Sequence, residues 1–394
     1  MKILFLTPQL PYPPNSGGTI KSYKLIKYLS REYDTSAVIL LKNNDEEHVD
    51  DFRKDVRLSS CHTMEIDKKR NTLNYLKSLF LRVPLNIYRN RSTEMMEKVQ
   101  KIINDFDVII VDHYLMFQYI PDYVASRVIL HQHNAEYVMW ERFAELSENS
   151  MKSRLLFMEA RRIKKYEVNI CKKADAILAA PNDIDILSKL GIDRNKFYIT
   201  YHLGNEESVG EIPYDFYERE DSLLYVGTLS WEANIEGLVW FIENTWDTLK
   251  ARIPDLKLYI VGKNPDERIS NAANSRDGIV FTGFVKDLTD YYSKCKIFIA
   301  PLRFGSGMKV KVVSAMGQGL PVVTTTVGAE GLDVEHMKHL AICDTADQMV
   351  DSIITLLTDA RISTKMSKLA KEQIDGKYNW NVVYSNLKHA IESH

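Results

Sequence analysis

The sequence predicts an α/β protein made of two doubly wound domains, each with a parallel sheet, that face each other across a cleft. The chain has 394 residues, which is long for a single hydrophobic core. Short apolar runs alternate with segments of helical periodicity in both halves. Three successive runs in the second half end in glycine, at Gly227, Gly262 and Gly283. Ligands of open α/β sheets bind beside such carboxyl ends of strands.

The first half alternates strands and helices as expected for a parallel sheet. Strands are predicted at 3–6, 37–41, 108–111, 128–130, 176–179 and 198–201, and helices at 19–30 and 153–171. A polar segment at 204–221, which contains Gly210 and Pro213, is the predicted linker. The predicted domains are residues 1–207 and 208–379. A final helix is predicted at 380–394, and the sequence leaves open whether it packs on the second domain or returns to the first.

The second half repeats the alternation, with helices predicted at 235–251, 288–293, 310–317 and 346–357. Its most informative segment runs from an apolar strand at 297–300 through Gly305 and Gly307 into a helix. Backbone N–H groups at a helix start favour an anion, and Lys309 and Lys311 add positive charge. The segment predicts a phosphorylated ligand such as a nucleotide. The plain alternative is a glycine turn followed by solvated lysines.

Composition narrows the class of protein. The net charge of −2 gives no indication of nucleic-acid binding. The four cysteines are far apart in the sequence and predict neither a zinc site nor a disulfide framework. No apolar stretch approaches the roughly 20 residues of a membrane-spanning helix, and Pro8 interrupts the first apolar run. These features predict a cytoplasmic protein, at most peripheral to the inner face of a membrane.

Several motifs together resemble the family 4 glycosyltransferases of GT-B fold over essentially the whole chain. They are Pro11-Tyr12-Pro13-Pro14-Asn15-Ser16-Gly17-Gly18, His133-Asn134-Ala135-Glu136, Ala174-Asp175-Ala176, Val226-Gly227-Thr228, Val261-Gly262, Thr282-Gly283-Phe284-Val285-Lys286-Asp287, the block 305–316 and Gly319-Leu320-Pro321-Val322-Val323. The resemblance implies transfer of a sugar from a nucleotide diphosphate sugar, with retention at the anomeric carbon and without a metal or other cofactor. It also implies a glycan, polysaccharide or lipid-linked acceptor in surface polysaccharide or lipopolysaccharide biosynthesis.

The resemblance also implies roles for individual residues. Gly17 and Gly18 would form a loop that approaches the donor phosphates and reacting sugar, and His133 would contact the donor sugar by hydrogen bonding rather than act as a base. The donor-binding set would be Gly227, Thr228, Gly262, Gly283, Phe284, Val285, Gly305, Ser306, Gly307, Met308, Lys309, Lys311, Ser314 and Glu330. Within that set, residues 283–285 would hold the base, and residues 307–309 and Lys311 the diphosphate. Glu330 is not given by the resemblance and is a candidate ribose partner from its place in Gly328-Ala329-Glu330-Gly331.

The sequence departs from the family pattern at four positions. Ser306 and Ser314 stand where two glutamates are common, Thr228 where an arginine is common, and Glu236 where a lysine is expected. Because of these departures, a second alternative is a non-catalytic, glycosyltransferase-like protein that binds a sugar nucleotide or a partner. An epimerase or hydrolase on the same fold is a further alternative, although no carboxylate cluster supports it.

Three other features complete the predictions. His131, Gln132, His133 and Glu136 are expected to form a polar rim. Two Asp-x-Asp patterns, at 105–107 and 183–185, are not interpreted as metal sites. The first lies at a strand start, and the second is interpreted as a helix N-cap and first-turn charge. The segment 68–91 interleaves basic and apolar residues, which fits either an anionic membrane surface or a solvated helix packed on the first domain.

Overall fold

The computed structural model describes residues 1–42, 45–66, 68–69, 71–147, 149–204 and 214–393. The chain divides into two compact units. Unit 1 comprises residues 1–201 and 380–394, and unit 2 comprises residues 202–379. The predicted domain boundary at 207 and 208 lies within 205–213, outside the described residues.

Unit 1 contains a seven-stranded sheet in the order β3-β2-β1-β4-β5-β6-β7, with every strand parallel to its neighbours. The strands are β1 Lys2–Thr7, β2 Asp34–Leu41, β3 Ser60–Glu65, β4 Val108–Asp112, β5 Arg127–His131, β6 Ala176–Ala179 and β7 Phe197–Ile199. The central strands are apolar and buried on both faces, as parallel sheets covered by helices require. The strand order reverses between β1 and β4, which is where doubly wound sheets bind ligands.

Unit 1 helices cover both faces of the sheet. They are α1 Gly17–Glu32, α2 Val49–Asp55, α3 Thr72–Phe80, α4 Leu85–Arg89, α5 Thr93–Ile102, α6 Glu136–Glu145, α7 Ser150–Lys173, α8 Pro181–Ser188 and, from the end of the chain, α16 Trp380–Glu392. α16 packs on this unit, because Tyr384 stacks on Tyr28 with ring centroids 4.4 Å apart and Asn386 Nδ2 donates to Ile199 O at 2.8 Å.

The start of α1 corrects one prediction. Gly17 and Gly18 are the first two residues of the helix, not a loop before it. Ser16 is the N-cap, and its hydroxyl and the Thr19 side chain form a reciprocal capping box. This arrangement satisfies N–H groups that a helix start leaves without partners. The glycines therefore lie at the positive end of the α1 dipole.

Unit 2 contains a six-stranded parallel sheet in the order β10-β9-β8-β11-β12-β13. The strands are β8 Glu220–Val226, β9 Lys257–Val261, β10 Ile279–Gly283, β11 Cys295–Ala300, β12 Val322–Thr324 and β13 Ala341–Ile342. The helices are α9 Glu232–Phe241, α10 Asp247–Arg252, α11 Glu267–Ala273, α12 Thr289–Lys294, α13 Val310–Gly317, α14 Ala346–Thr358 and α15 Ala360–Lys377. A π-helical turn at Ile242–Trp246 joins α9 to α10. The prediction of two parallel-sheet α/β units is confirmed.

Within the described ranges, we find no helix with the length and apolar character needed to cross a bilayer.

Candidate functional site

In unit 1, polar side chains gather where β1, β4 and β5 end. Asp112 Oδ1 accepts hydrogen bonds from His131 Nδ1 at 2.7 Å and from His133 Nε2 at 2.8 Å. Thr7 Oγ1 donates to Asp112 Oδ2 at 2.9 Å. The sheet topology alone brings Thr7, Asp112 and His131 together, because parallel strands end at the same edge.

The electrostatics of this cluster keep Asp112 ionised. Burial opposes ionisation, but His133 and His131 hold the pKa of the Asp112 carboxyl well below its usual value. Burial, helped by the charge of Lys21, lowers the pKa of His131 to about 3. An ionised Asp112 accepts from both rings, so His133 carries its proton on Nε2 in the neutral form.

The other ring nitrogen of His133 lies beside the start of α1. A Cβ added at Gly18 would lie 4.0 Å from His133 Nδ1. With Nε2 donating to Asp112, Nδ1 accepts a hydrogen bond when the ring is neutral and donates one when the ring is protonated. The arrangement therefore suits contact with a sugar hydroxyl or with a phosphate oxygen.

A buried lysine, Lys21, lies near the carboxylates of Asp112 and Asp183. Lys21 lies on α1, one turn after Gly17, and is fully buried. Burial lowers the pKa of Lys21 to about 7, while Asp183 and Asp112 favour its charged form. Asp183 Oδ1 also accepts from the backbone N–H of Ala135 at 2.9 Å. The sequence analysis missed Lys21 and Asp112. Asp112 could have been found, because it is the last residue of a strand and ligands of open α/β sheets bind beside the carboxyl ends of strands.

Two predictions about neighbouring residues need correction. The predicted polar rim is wrong for His131 and Gln132, which are fully buried, and for Glu136, which is also buried; His133 alone of the four is half-buried. Gln132 Nε2 donates to the buried Glu167 Oε1 at 2.6 Å, so its side chain organises the interior. Asp183 is not the helix cap, because α8 has Ala180 at its N-cap position, but the predicted first-turn charge is confirmed, since Asp183 lies in the first turn.

Glu167, on α7, accepts hydrogen bonds from the first backbone N–H groups of α6. Its carboxylate accepts from the backbone N–H groups of Glu136 and Tyr137, each at 2.9 Å. Burial raises the pKa of Glu167 to about 8, although these N–H groups oppose the rise. The buried pair with Gln132 fixes the segment that follows His133.

The backbone beside the cluster is strained. His113 has a φ of 79°, in a region that residues with a side chain rarely adopt. Its ring centroid lies 5.0 Å from that of His133. Burial, and after it His133, lowers the pKa of His113 well below its usual value. Strained residues that the surrounding structure holds in place are concentrated at functional sites.

Asp112, His131 and His133 are also the one metal-compatible group among the described residues, with ligand atoms within 4.8 Å of one another. Their chemistry fits a hydrogen-bonded cluster better. Asp112 Oδ1 accepts both imidazole N–H groups, and the buried Lys21 already places positive charge against Asp112. A divalent cation would have to bind against that charge.

In unit 2, the predicted glycines at the strand ends lie together. Gly227 N donates to Val261 O and Gly262 N to Gly283 O, each at 3.0 Å. A Cβ added at Gly262 would lie 2.3 Å from Gly227 O, so this close approach requires glycine. After Gly283, Phe284 is exposed and Val285 half-buried.

Lys311, from α13, lies against the first of these strand ends. Its Nζ donates to Tyr225 Oη at 2.9 Å and to Asn234 Oδ1 at 2.7 Å. A Cβ added at Gly227 would lie 3.0 Å from the same Nζ. Burial, with the nearby charge of Lys309, lowers the pKa of Lys311 to about 7. A bound anion at this position would restore the charge of Lys311.

The glycine loop before α13 has the backbone that its sequence predicts. Gly305 and Gly307 have φ values of 141° and 74°, in the region that favours glycine. Lys309, the N-cap residue of α13, donates to Gly307 O and lies 3.7 Å from Glu330. Lys309 and Glu330 therefore contact each other. Their predicted roles at the diphosphate and ribose remain predictions.

The other predicted positions of unit 2 occupy the same end of the sheet. Met308 is buried behind the loop, and Ser306 is half-buried within it. The exposed Thr228 accepts through its carbonyl from Asn234 Nδ2 at 2.9 Å. A Cβ added at Gly204 would lie 2.4 Å from Ser314 Oγ, so the backbone at Gly204 approaches the start of α13 closely.

One basic residue at this end was missed. Glu236, where a lysine was expected, forms an ion pair with Arg303 at 2.7 Å. The Arg303 guanidinium also lies 5.4 Å from the Trp240 ring centroid. Arg303 stands two residues before Gly305 in the sequence, so its place next to the glycine loop was visible there. Its ion pair with Glu236 is seen only in the structure.

Comparisons with known proteins agree with this architecture. Residues 220–359 match the family model described as "Glycosyl transferases group 1". A Klebsiella pneumoniae protein, "Uncharacterized 44.6 kDa protein in cps region", is 23% identical over 398 residues, which cover 98% of each chain. The phosphatidyl-myo-inositol mannosyltransferase of Mycolicibacterium smegmatis is 27% identical over 150 residues, covering 37% of this chain and 39% of that protein.

Among solved structures, Anabaena HepE in complex with UDP and glucose superposes with a TM-score of 0.69 at 14% identity, covering 100% of both chains. The two parallel-sheet units and this likeness define the GT-B fold. Together with the match of residues 220–359, they support a glycosyltransferase of this fold.

Proposed function

We propose that this protein is a retaining glycosyltransferase that moves a sugar from a nucleotide diphosphate sugar to a glycan, polysaccharide or lipid-linked acceptor in surface polysaccharide or lipopolysaccharide biosynthesis. The observation that carries the proposal is the position of Lys311, a half-buried lysine held beside Gly227, which follows β8, inside the segment that matches the glycosyltransferase model. Support for the donor comes from HepE, which binds UDP and glucose, and support for the pathway from the Klebsiella relative in a cps region.

The proposed reaction needs charge stabilisation more than a strong base. As the bond from the anomeric carbon to the phosphate oxygen breaks, negative charge develops on the leaving diphosphate. Lys311 and the N-terminus of α13 stabilise that charge. The acceptor oxygen bonds to the anomeric carbon on the same face and gives its proton to the leaving phosphate oxygen, which retains the configuration. His133 Nδ1 hydrogen-bonds the donor sugar beside Gly17 and Gly18.

Nucleotide binding should depend on pH through Lys311. The free enzyme holds the pKa of Lys311 at about 7, and a bound diphosphate raises it because opposite charge favours the ammonium form. The affinity for UDP should therefore fall by about three- to ten-fold per pH unit above pH 7, where the second phosphate ionisation, with a pKa of about 6, is complete. Calorimetric titration between pH 7 and 9 measures this slope.

Lys311→Met should lower UDP affinity about ten-fold at pH 7, as expected when a charge-assisted hydrogen bond is lost, and should abolish the slope. Lys257→Met is the matched control, since Lys257 pairs with Glu220 at the amino end of β8, away from the proposed phosphate site, and should leave the slope in place. An equal slope in the wild type and Lys311→Met would exclude Lys311 from the phosphate site.

Turnover should not require a divalent metal. Asp107 lies at the amino end of β4, away from the candidate site, and accepts from Lys2 N at 2.7 Å. Asp183 lies beside the candidate site, but its carboxylate accepts from Ala135 N and favours the charged form of Lys21. We expect the rate in excess chelator to stay within about two-fold of the untreated rate, because lysine and helix N–H groups supply the charge stabilisation. Loss of activity that magnesium or manganese restores would contradict this expectation.

The stereochemistry tests the proposed function. A thermal-shift screen over nucleotide diphosphate sugars identifies the donor, and proton NMR then follows the anomeric signal of the newly formed product. A retaining enzyme gives the donor's own anomeric configuration first. The inverted anomer as first product would contradict the retaining mechanism.

A second candidate is a sugar-nucleotide-binding protein without activity. Ser306 and Ser314 favour it, because hydroxyls replace the carboxylates common at these positions. Such a protein would bind a donor without releasing its nucleoside diphosphate, so donor turnover separates the two candidates.

A further inference from the structure

Large apolar side chains are exposed on two helices of unit 1. On α3, Leu73, Leu76 and Phe80 project from one face at helical spacing, and Phe80 is 87% exposed. On the first half of α7, Met151, Leu155 and Met158 repeat the pattern, with exposures of 73%, 46% and 48%. Soluble proteins expose single apolar residues routinely, but two adjacent apolar stripes indicate a binding surface.

Direct contacts make these stripes neighbours. Arg162, on α7, donates through Nη2 to Ser78 O at 2.9 Å and to Val83 O, so α7 contacts α3 and the turn after it. Glu159 pairs with Arg162 at 2.6 Å. Met158 and Leu155 lie four and seven residues before Arg162, on the side of α7 that meets α3. The six apolar side chains therefore belong to one two-helix surface.

The charge on these two helical segments is predominantly positive. The exposed basic residues on these segments include Lys69, Lys77, Arg82, Lys152, Arg154 and Arg161. One exposed carboxylate, Glu145 at the end of α6, lies on the flank of α7, where Ser153 Oγ donates to Ala144 O. Residues 71–83 contain no carboxylate, and residues 150–166 contain one, Glu159, which is buried against Arg162. A surface that combines exposed apolar stripes with basic residues complements an anionic lipid bilayer, with the side chains inserting and the cations meeting the headgroups.

We infer that α3 and the first half of α7 together form a docking surface for an anionic phospholipid bilayer. The inference goes beyond the proposed glycosyl transfer, because docking requires neither donor nor acceptor. The sequence analysis identified only the basic segment 68–91 as a candidate membrane surface. The structure adds the first half of α7 to it. Each basic residue adds a salt-dependent attraction, and the apolar residues add a term that salt does not weaken.

Vesicle sedimentation of the full chain tests the inference. The wild type should bind vesicles of phosphatidylcholine with 30% phosphatidylglycerol at least about ten-fold more tightly than phosphatidylcholine alone, since several basic side chains meet the anionic headgroups. Binding should weaken near 1 M salt, where the Debye length is about 3 Å. Equal binding to both vesicles, or to neither, would overturn the inference.

A double variant on α7 isolates the new element. Leu155→Glu with Met158→Glu should lower binding to the anionic vesicles by about ten-fold or more, because it removes two inserting side chains and adds like charge. Lys77→Glu with Arg82→Glu should act similarly from α3. Tyr123→Glu is the matched control, since Tyr123 is 95% exposed and lies on neither helix.

Two readouts separate this inference from its rivals. Donor turnover in solution should be unchanged in the α7 variant, so loss of docking with intact turnover supports the surface whatever the acceptor. If the α7 variant binds vesicles as the wild type does, α7 is not part of the surface. If light scattering shows a wild-type dimer that the variant dissociates and vesicle binding is absent, the surface joins two copies instead, and the inference fails.

Discussion

Gly18→Val is expected to reduce the rate of sugar transfer by about 100-fold or more while UDP affinity changes less than about three-fold. A Cβ at residue 18 would lie 4.0 Å from His133 Nδ1, so the two further methyl groups of valine enter the space beside that nitrogen. A misplacement of about 1 Å at a reacting centre costs on the order of 100-fold in rate. The proposed nucleotide contacts belong to unit 2, which the substitution leaves intact. Rates and calorimetric affinities are measured on the same preparation.

Two control variants, Gly18→Ala and Gly376→Val, are compared with Gly18→Val. Gly18→Ala adds only an atom in ordinary van der Waals contact and should retain most activity. Gly376→Val makes the same change at another helical glycine, on α15, where an added Cβ meets nothing within 4 Å. If Gly18→Val weakens UDP binding as steeply as it slows transfer, the assignment of nucleotide and sugar contacts to different units is wrong.

Asp112→Asn should reduce the transfer rate by about 100-fold or more, within the range that a misplaced or wrongly protonated catalytic group costs. The carboxylate accepts from His131 and His133 together, and an amide oxygen holds these protons less strongly. His133 could then carry its proton on Nδ1, which would remove the acceptor that faces Gly18. The measurement is the pH profile of the rate, because a change in histidine protonation moves that profile.

A double-mutant cycle with His133→Ala tests whether Asp112 acts through His133. If it does, the double variant should be about as slow as the slower single variant. Thermal unfolding is recorded alongside, since Asp112→Asn also leaves the buried Lys21 with one carboxylate partner fewer. Fully additive losses, with an unchanged pH profile in Asp112→Asn, would assign Asp112 to stability alone.

Local patterns predicted much of the fold. The apolar run at 297–300 predicted β11, which in fact begins two residues earlier, at Cys295. The loop and α13 were predicted with their observed bounds, because parallel strands are continuous apolar segments and glycine marks a positive φ. The edge strand β3, Ser60–Glu65, was missed because its sequence is polar and only half-buried. The loop assigned to Gly17 and Gly18 was wrong because the capping box of Ser16 and Thr19 starts the helix earlier.

The charged interior of the candidate site was harder to predict. Thr7 and Asp112 are 105 positions apart, and the sheet order that joins them cannot be read from either segment alone. Lys21 lies on a helix that also carries Lys24 and Lys27, so the sequence does not distinguish the fully buried lysine from the others. Arg303 and Glu236, 67 positions apart, pair for the same topological reason.

The most direct test of the central claim is the release of nucleoside diphosphate from the donor selected in the thermal-shift screen, with wild type and Gly18→Val side by side. The proposed function predicts multiple turnovers by the wild type and about 100-fold less release by Gly18→Val at equal donor affinity. Tight donor binding by the wild type without release of nucleoside diphosphate, in the presence of a range of glycan and lipid-linked acceptors, would contradict the claim and identify a binding protein.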